Sequence, residues 1–396
     1  MATFDITDPD VVRDPYPAFA QMRAEGRPVW DDDLGMWLAF RYDDANAVLR
    51  SRRLGRIFSA REPLDVWETF NWLHDDALLE NEPPKHTRLR QLVAKAFARG
   101  NIESRRDRIQ QMCRDLLDVA DEKARDTGTF DVMADYAEPL PVLVIADLLG
   151  FPDSDIALLR PWSQAIVKMY EYDRTTDDDA RARAACDEFA AYVADLARSR
   201  RSVPGDDLIT YLAEVEAEGE HLTERELVAT VVLLLNAGHE ATVNGFGNGF
   251  VSLMTHRAQW DRVVADPWGL APTAVDEMLR YDGPSQLFER TATQDVEIGG
   301  ITVQAGQKIA ALLGSANRDP KAFPDADTMD VGRDPNPHIA FGAGIHFCLG
   351  GPLARLEMAQ SLPLLAERWP GISLADGAVQ RDTFVLRGWD IVPVAV

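Results

Sequence analysis

Cysteine is scarce. The chain has three, Cys113, Cys186 and Cys348, far apart and with no C-x-x-C among them. An odd number at such spacing argues against a disulfide framework or a cysteine zinc site, and sparing use of thiols fits a reducing, cytoplasmic compartment. Positive charge is also short: 41 Lys and Arg face 65 Asp and Glu, a formal net charge of −24. Non-specific nucleic-acid binding, which needs clustered positive charge, is therefore not expected. Long apolar runs are missing. The strongest is Val231–Leu235, inside Leu227–Gly238, which Thr230 and Asn236 interrupt; a membrane span needs about 20 apolar residues. MATFDITDPDVVRDPYPAF has no basic segment leading into an apolar run, so no signal peptide is expected. Repeats, low-complexity segments and Pro/Gly/Ser-rich linkers are absent too. The expectation is one domain over residues 1–396, against the length prior of two or three.

Several catalytic signatures fail at a single position. G-x-G-x-x-G would need glycine where Phe347 stands, and H-E-x-x-H, suggested by His239-Glu240, would need histidine where Val243 stands. Neither a Walker lysine motif nor G-x-S-x-G occurs. A built-in nicotinamide or flavin site is not supported, so any electrons must come from outside.

What is present is mostly helix. Ile102–Lys123, Ala180–Ala197 and Leu353–Arg368 carry apolar residues at helical spacing. Strand signals are short and late: Val296–Val303, with a Gly299-Gly300 turn, Lys308–Leu313 and Asp382–Pro393. The acidic patch Asp177–Asp179 and the stretch Arg198–Asp207 read as surface connections. Thr223 and Glu226 form a capping box that opens a helix apolar all round from Leu227 to Leu235, hence buried. Asn236, His239 and Glu240 then fall inside it, where polar groups cost stability unless paired or functional. The fold class is mainly α with small β-sheets.

The densest signal is FGAGIHFCLGG, Phe341–Gly351, where glycines surround one cysteine. Pro352 opens a helix just beyond, so Cys348 precedes a helix N-terminus, whose unpaired amides and dipole favour a thiolate. Glycines let the backbone approach something flat and large and adopt positive φ.

This string resembles the heme-binding loop of the cytochrome P-450 superfamily, soluble bacterial type. Phe341, Gly342, Gly344, His346, Cys348 and Gly350 fit it position by position, and the resemblance runs from Asp5 to Arg387-Gly388-Trp389. It implies a cytochrome P-450 fold with heme b (iron protoporphyrin IX) buried between an oxygen-activating helix and the cysteine-loop helix, and Cys348 as iron ligand. It implies a monooxygenase that inserts one oxygen atom of O2 into a largely apolar organic substrate, in secondary metabolism or catabolism. A ferredoxin and ferredoxin reductase would supply electrons to a monomeric protein that binds neither membrane nor nucleic acid.

The same resemblance distributes further roles. Glu277 and Arg280, on one helix face, look like its structural E-x-x-R pair, with Arg333 as the third member; alone, such a pair is common on solvated helices. His86 and Arg90, four apart, with Arg290 and His346, occupy positions resembling propionate contacts, and charge-assisted bonds suit two carboxylates. Residues 83–102 hold five Lys/Arg and no Asp/Glu, which also suits an acidic electron donor, with Arg88, Lys95 and Arg355 as docking candidates. In AGHEAT, Ala237 and Ala241 would face the heme, Gly238 would open a groove over it, and Glu240 would be the proton-relay acid. The family's usual threonine is replaced: position 241 is alanine, and Thr242 lies about 100° further round the helix. Ala241 therefore keeps a second reading open, a heme–thiolate enzyme with peroxide-driven or non-hydroxylating chemistry. Candidate substrate contacts are Trp67, Phe70, Trp72, Asn236, Leu287, Phe288 and Phe384.

Overall fold

The computed structural model describes residues 4–217 and 220–396, so the expected domain includes five residues, 1–3 and 218–219, outside the described ones. The chain forms two compact units. One comprises Met1–Gly55, Arg106–Pro139 and Ala241–Val396, the other Arg56–Arg105 and Leu140–Glu240. The helices that carry the site and its supports are, in chain order, α1 (Tyr42–Arg50), α2 (Glu68–Asp75), α3 (Lys85–Ala94), α4 (Arg106–Thr127), α5 (Thr176–Ser202), α6 (Glu224–Thr255), α7 (Pro267–Tyr281) and α8 (Gly351–Arg368).

The first unit is built on a five-stranded sheet of β1 (Val29–Asp31), β2 (Met36–Ala39), β3 (Leu54–Gly55), β4 (Leu287–Ala292) and β5 (Lys308–Leu312), in the order β1-β2-β5-β4-β3. Only β2–β5 is parallel; Ala310 lies opposite Leu38 on one side and Glu289 on the other. Period-two alternation sorts the side chains into two cores. On β5, Ile309 and Ala311 join Val48 and Leu49 of α1, while Ala310 and Leu312 join Phe4, Phe19 and Phe40.

That alternation separates two neighbouring candidates. Leu287 and Phe288 are neighbours on β4, so their side chains leave opposite faces: Leu287 enters the Phe4–Phe19–Phe40 core, Phe288 packs on the other. Phe384 also belongs to the first core, its ring centroid 5.8 Å from that of Phe4 and 6.3 Å from that of Phe19. Leu287 and Phe384 thus pack in the same core.

Element boundaries move for local reasons. The expected helix from Ile102 is split: Arg99–Glu103 is a separate turn, and α4 starts at Arg106. Val296–Ile298 and Ile301–Val303 pair across Gly299 and Gly300, both at positive φ. The expected strand Asp382–Pro393 is shorter, with pairing at Trp389–Ile391 and Pro393–Ala395. Arg387 turns inward before it, donating to Asp282 at 3.1 Å and to the carbonyls of Val12 and Arg13 at 2.8 and 2.7 Å. Helix α8 packs against α4 and α7.

In the second unit, Asp177–Asp179 is not a connection but the first turn of α5. Thr175 accepts from Asp178 N, and Asp178 accepts from Thr175 N, a reciprocal cap. Bonds from the Thr175 backbone and hydroxyl, then from Arg181, hold the Asp178 carboxyl down at about 2. Arg198–Ser202 is likewise helix, the last turn of α5, and Asp207 caps Leu208–Glu214 by accepting from Thr210 N at 2.7 Å. Thr223 and Glu226 cap α6 reciprocally, at 2.9 and 3.2 Å. Among the described residues α6 is the one helix long and apolar enough to cross a membrane, but 78% of its apolar window is buried inside the protein, as in a core helix. Its residues to Glu240 belong to the second unit and those from Ala241 to the first.

Candidate active site

In the first unit the cysteine loop is tied to its own backbone. Cys348 N donates to Phe341 O at 2.9 Å, Gly342 N to Ile339 O at 2.9 Å, and Ala354 N to Gly350 O at 3.0 Å where α8 begins. Gly342 and Gly344 have φ of 70° and 72°, the left-handed region that a side chain makes costly. At Gly344 space forbids one as well, since a Cβ there would collide with Leu49 O. A Cβ at Gly342 would press on the Phe288 ring at 3.3 Å, and one at Gly350 would stand 4.0 Å from Cys348 Sγ. The sulfur therefore sits in a loop with little side-chain bulk around it, directly ahead of α8. Among the described residues no cysteine is in a disulfide, and the other two are buried. Burial pushes the thiols of Cys113 and Cys186 up to about 11 and about 12, which leaves them chemically quiet.

A charged network stands beside this loop. The Arg355 guanidinium lies 4.3 Å over the Phe341 ring and donates to Asp276 at 2.7 Å. His338 Nδ1 accepts from Ala340 N at 3.3 Å, and its Nε2 lies 3.2 Å from Asp276 and 3.5 Å from Arg355. Burial pushes the Asp276 carboxyl up, but the bonds from His338 and Arg355 outweigh it and hold the group below the usual range. Arg290, on β4, is buried and donates to Glu289 O at 2.8 Å. His346 ends the short turn Gly344–His346. Ile345 and Phe347 on either side of it are 36% and 41% exposed.

Glu277 and Arg280 are both 0% exposed and meet through two bonds of 2.7 and 2.8 Å. Glu277 also accepts from Arg333 at 3.1 Å, Asp330 N at 2.8 Å and Asn336 at 3.1 Å. Arg280 binds the carbonyls of Asn317, Ala326 and Thr328. The pair holds residues 317–336, whose chain runs on into the cysteine loop.

In the second unit α3 turns His86 inward, Arg90 is half-buried and Lys95 is exposed. Arg88 is taken up by Glu226, and Arg355 by Asp276, so two of the three expected docking cations are already held by carboxylates. On α6, Asn236 is 8% exposed and its Oδ1 has no hydrogen-bond partner. Glu240, one turn on, is buried, with Oε1 3.9 Å from His239 Nδ1. Ala237 is exposed in the midst of these buried neighbours, and Gly238 lets the helix pass close to Ile145, 3.0 Å from a Cβ built there. Further along the same helix Ala241 is half-buried and Thr242 buried.

Trp67 and Phe70 are buried around α2, each beneath the Arg61 guanidinium at 5.2 and 5.0 Å, and Trp72 lies 4.9 Å under Arg225. Arg61, Asp276 and His338 are not among the residues expected from sequence, and Arg355 is expected there only as a docking cation. Nothing local marks them: Arg61 stands in an ordinary loop, and the three network residues come from 80 residues of sequence.

One soft anionic donor in a glycine-lined loop fits a heme iron bound through thiolate. Among the described residues no group of three or more His, Cys, Asp or Glu could hold a metal ion. Comparison with known proteins points the same way. The model of the family Cytochrome P450 matches residues 29–266 and 270–369. The chain is 39% identical to the cytochrome P450 monooxygenase PikC of Streptomyces venezuelae over 92% of its length and 86% of that protein's. It is 37% identical to 6-deoxyerythronolide B hydroxylase of Saccharopolyspora erythraea, covering 96% and 95%. Its backbone matches P450BioI, solved with an acyl carrier protein ligated to hexadec-9Z-enoic acid, at a TM-score of 0.92, 32% identity and coverage of 98% and 100%.

Proposed function

The chain belongs to the cytochrome P450 family and is a monooxygenase using heme b and O2, and we propose that as a single domain it oxidises a largely apolar small molecule of secondary metabolism with electrons from a ferredoxin and its reductase, in the cytoplasm and as a monomer. The observation that carries this reading is the cysteine loop, a lone thiol backed by positive-φ glycines ahead of α8. Cys348 would hold the heme iron through its thiolate, and within its unit His346 and Arg290 would donate to the group's carboxylates. For the second unit the same reading assigns His86 and Arg90 of α3 and Ala237 of α6. When bound, the heme activates dioxygen, with electron density pushed from the sulfur.

Glu240 is the residue that holds and moves a proton, and its burial on α6 keeps that proton from exchanging at random with bulk water. Ala241 has no hydroxyl to pass it on, and Thr242 lies about 100° away round the helix. A substrate hydroxyl or an ordered water takes that place. Asn236, one turn before Glu240, supports this: its unpartnered, buried Oδ1 is an acceptor for a substrate O–H or N–H. The relative named for polyketide biosynthesis and the acyl-chain complex of P450BioI support an extended aliphatic substrate. Ala241 also favours a second reading, turnover driven by peroxide. Product formation with peroxide, set against dioxygen plus electron donor, separates the two.

The test of the main reading is optical. The reduced, heme-loaded protein takes up carbon monoxide and shows the red-shifted band of a thiolate-bound heme, and Cys348→Ser abolishes it while the fold persists. A band typical of imidazole ligation in the parent protein would refute the assignment.

A further inference from the structure

The second unit contains a cluster of three arginines with one carboxylate among them, in a chain that carries 24 surplus negative charges. Arg61 and Arg174 both point a guanidinium nitrogen at the same carbonyl oxygen, that of Met169, each at 3.4 Å. Arg61 and Arg183 both lie over the indole of Trp67, each with its guanidinium carbon 5.2 Å from the ring centroid. Three cations thus converge on one carbonyl and one aromatic ring. Like charges this close repel, and they persist only where something else fixes them.

The fixing is visible. The backbone of Arg61 is latched through both its polar groups, its N–H donating to Asn71 Oδ1 at 2.8 Å and its carbonyl accepting from Asn71 Nδ2 at 3.0 Å. Its guanidinium is also 5.0 Å from the Phe70 ring. Among the described residues no carboxylate oxygen lies within 4 Å of Arg61 or Arg183, whereas Arg88 and Arg200 elsewhere in the unit each have one in direct contact. The two acids nearest in effect to Arg61 are engaged elsewhere: Glu80 with Arg56 and Asp179 with Arg174, both at 3.9 Å. Burial and the neighbouring Arg174 push the Arg61 guanidinium below its usual range, as expected of a cation short of anionic partners.

We propose that Arg61, with Arg174 and Arg183 around Trp67, is an anion site that binds the carboxylate of the substrate. Aromatic faces under the guanidinium leave its edge for a forked bond to a planar oxyanion. A carboxylate there relieves the mutual repulsion of three cations, so it gains more than it would at a single surface arginine. The inference deepens the monooxygenase reading and rests on it: the substrate is an amphipathic acid, its apolar body ending in a carboxylate that Arg61 receives. A phosphodiester linking an acyl chain to a carrier presents the same kind of oxyanion, and the experiment distinguishes that source.

The probes are dodecanoate, 1-dodecanol, methyl dodecanoate and the diester dodecyl methyl phosphate, titrated into the heme-loaded protein by calorimetry and followed in parallel by the heme spectrum. The expected result is that dodecanoate binds the parent at least about tenfold more tightly than the alcohol or ester. Arg61→Gln removes that preference without changing binding of the ester, and Arg61→Lys retains part of it. Dodecyl methyl phosphate binding more tightly than dodecanoate would move the assignment to a carrier-linked phosphodiester and overturn the carboxylate proposal. No preference for the acid in the parent, or a preference that survives Arg61→Gln and Arg61→Gln/Arg183→Gln, overturns it too. Circular dichroism and the carbon monoxide band of each variant show that it is folded and loaded. A missing thiolate band with an intact calorimetric preference would instead defeat the heme reading and leave the anion site standing.

Discussion

Replacing Glu277 by glutamine changes one oxygen for an amide and leaves volume almost untouched, so its effect is electrostatic. The carboxylate accepts two bonds from Arg280, a bond from Arg333 shared between its two oxygens, one from Asp330 N and one from Asn336. Both Glu277 and Arg280 are fully buried. With glutamine, an NH2 group faces donors, and Arg280 keeps only carbonyl oxygens as partners. Breaking a buried ion pair from one side costs about 3–5 kcal/mol, a large share of the roughly 5–15 kcal/mol that holds a protein folded. Replacing both partners by apolar residues often restores stability at such sites. Here it does not, because Arg280 also satisfies the carbonyls of Asn317, Ala326 and Thr328, and each buried carbonyl left without a donor costs about 1–3 kcal/mol. Glu277→Leu/Arg280→Met is therefore expected to be no more stable than Glu277→Gln. The assay is urea unfolding by far-ultraviolet circular dichroism, with heme retention measured alongside. A loss below about 1 kcal/mol for Glu277→Gln, or recovery of parental stability in the double variant, would show that the pair does not brace residues 317–336.

Local geometry sets three other outcomes. Thr175→Ala removes the cap of α5 and costs about 1 kcal/mol at neutral pH. The Asp178 contribution, with a folded value of about 2 against an unfolded value near 3.9, is fully present above the unfolded value and vanishes as pH falls through the folded one; a difference between Thr175→Ala and parent that grows on acidification contradicts this. Phe384→Ala costs about 3–5 kcal/mol, the usual range for a core aromatic, and leaves ligand-induced changes in the heme spectrum untouched; normal stability with altered binding would place Phe384 among the substrate contacts. Ala241→Thr leaves product formed per NADPH unchanged, because a substrate hydroxyl or water already serves that position; much better coupling in the variant refutes that idea.

Sequence discloses chemistry that concentrates in a short span. The cysteine loop is legible because thiol, glycines and the helix start lie within eleven residues, and its glycine conformations belong to the same string: Gly342 and Gly344 take positive φ because the backbone must turn where Leu49 and Phe288 leave no room for a side chain. The α6 start is legible for the same reason, since Thr223 and Glu226 cap each other three residues apart. Charge is harder to place. Asp177–Asp179 looks like surface in composition but is the anionic first turn that a helix dipole favours, and the cap at Thr175 decides between the two. Long-range pairing hides the rest. Arg88 and Arg355 are indistinguishable in sequence from docking cations, yet Glu226, 138 residues away, and Asp276, 79 residues away, neutralise them. Leu287 and Phe288 look alike until strand β4 sends them to different cores. Arg61 is the reverse case, an ordinary surface arginine in sequence that the fold brings beside Arg174 and Arg183 without a carboxylate in contact with it. In an acidic chain, acid partners are the abundant kind, so leaving a half-buried arginine without one needs a compensating gain. A ligand that brings its own negative charge supplies it, and this is why substrate charge, which no motif encodes, is arguable only from the assembled second unit.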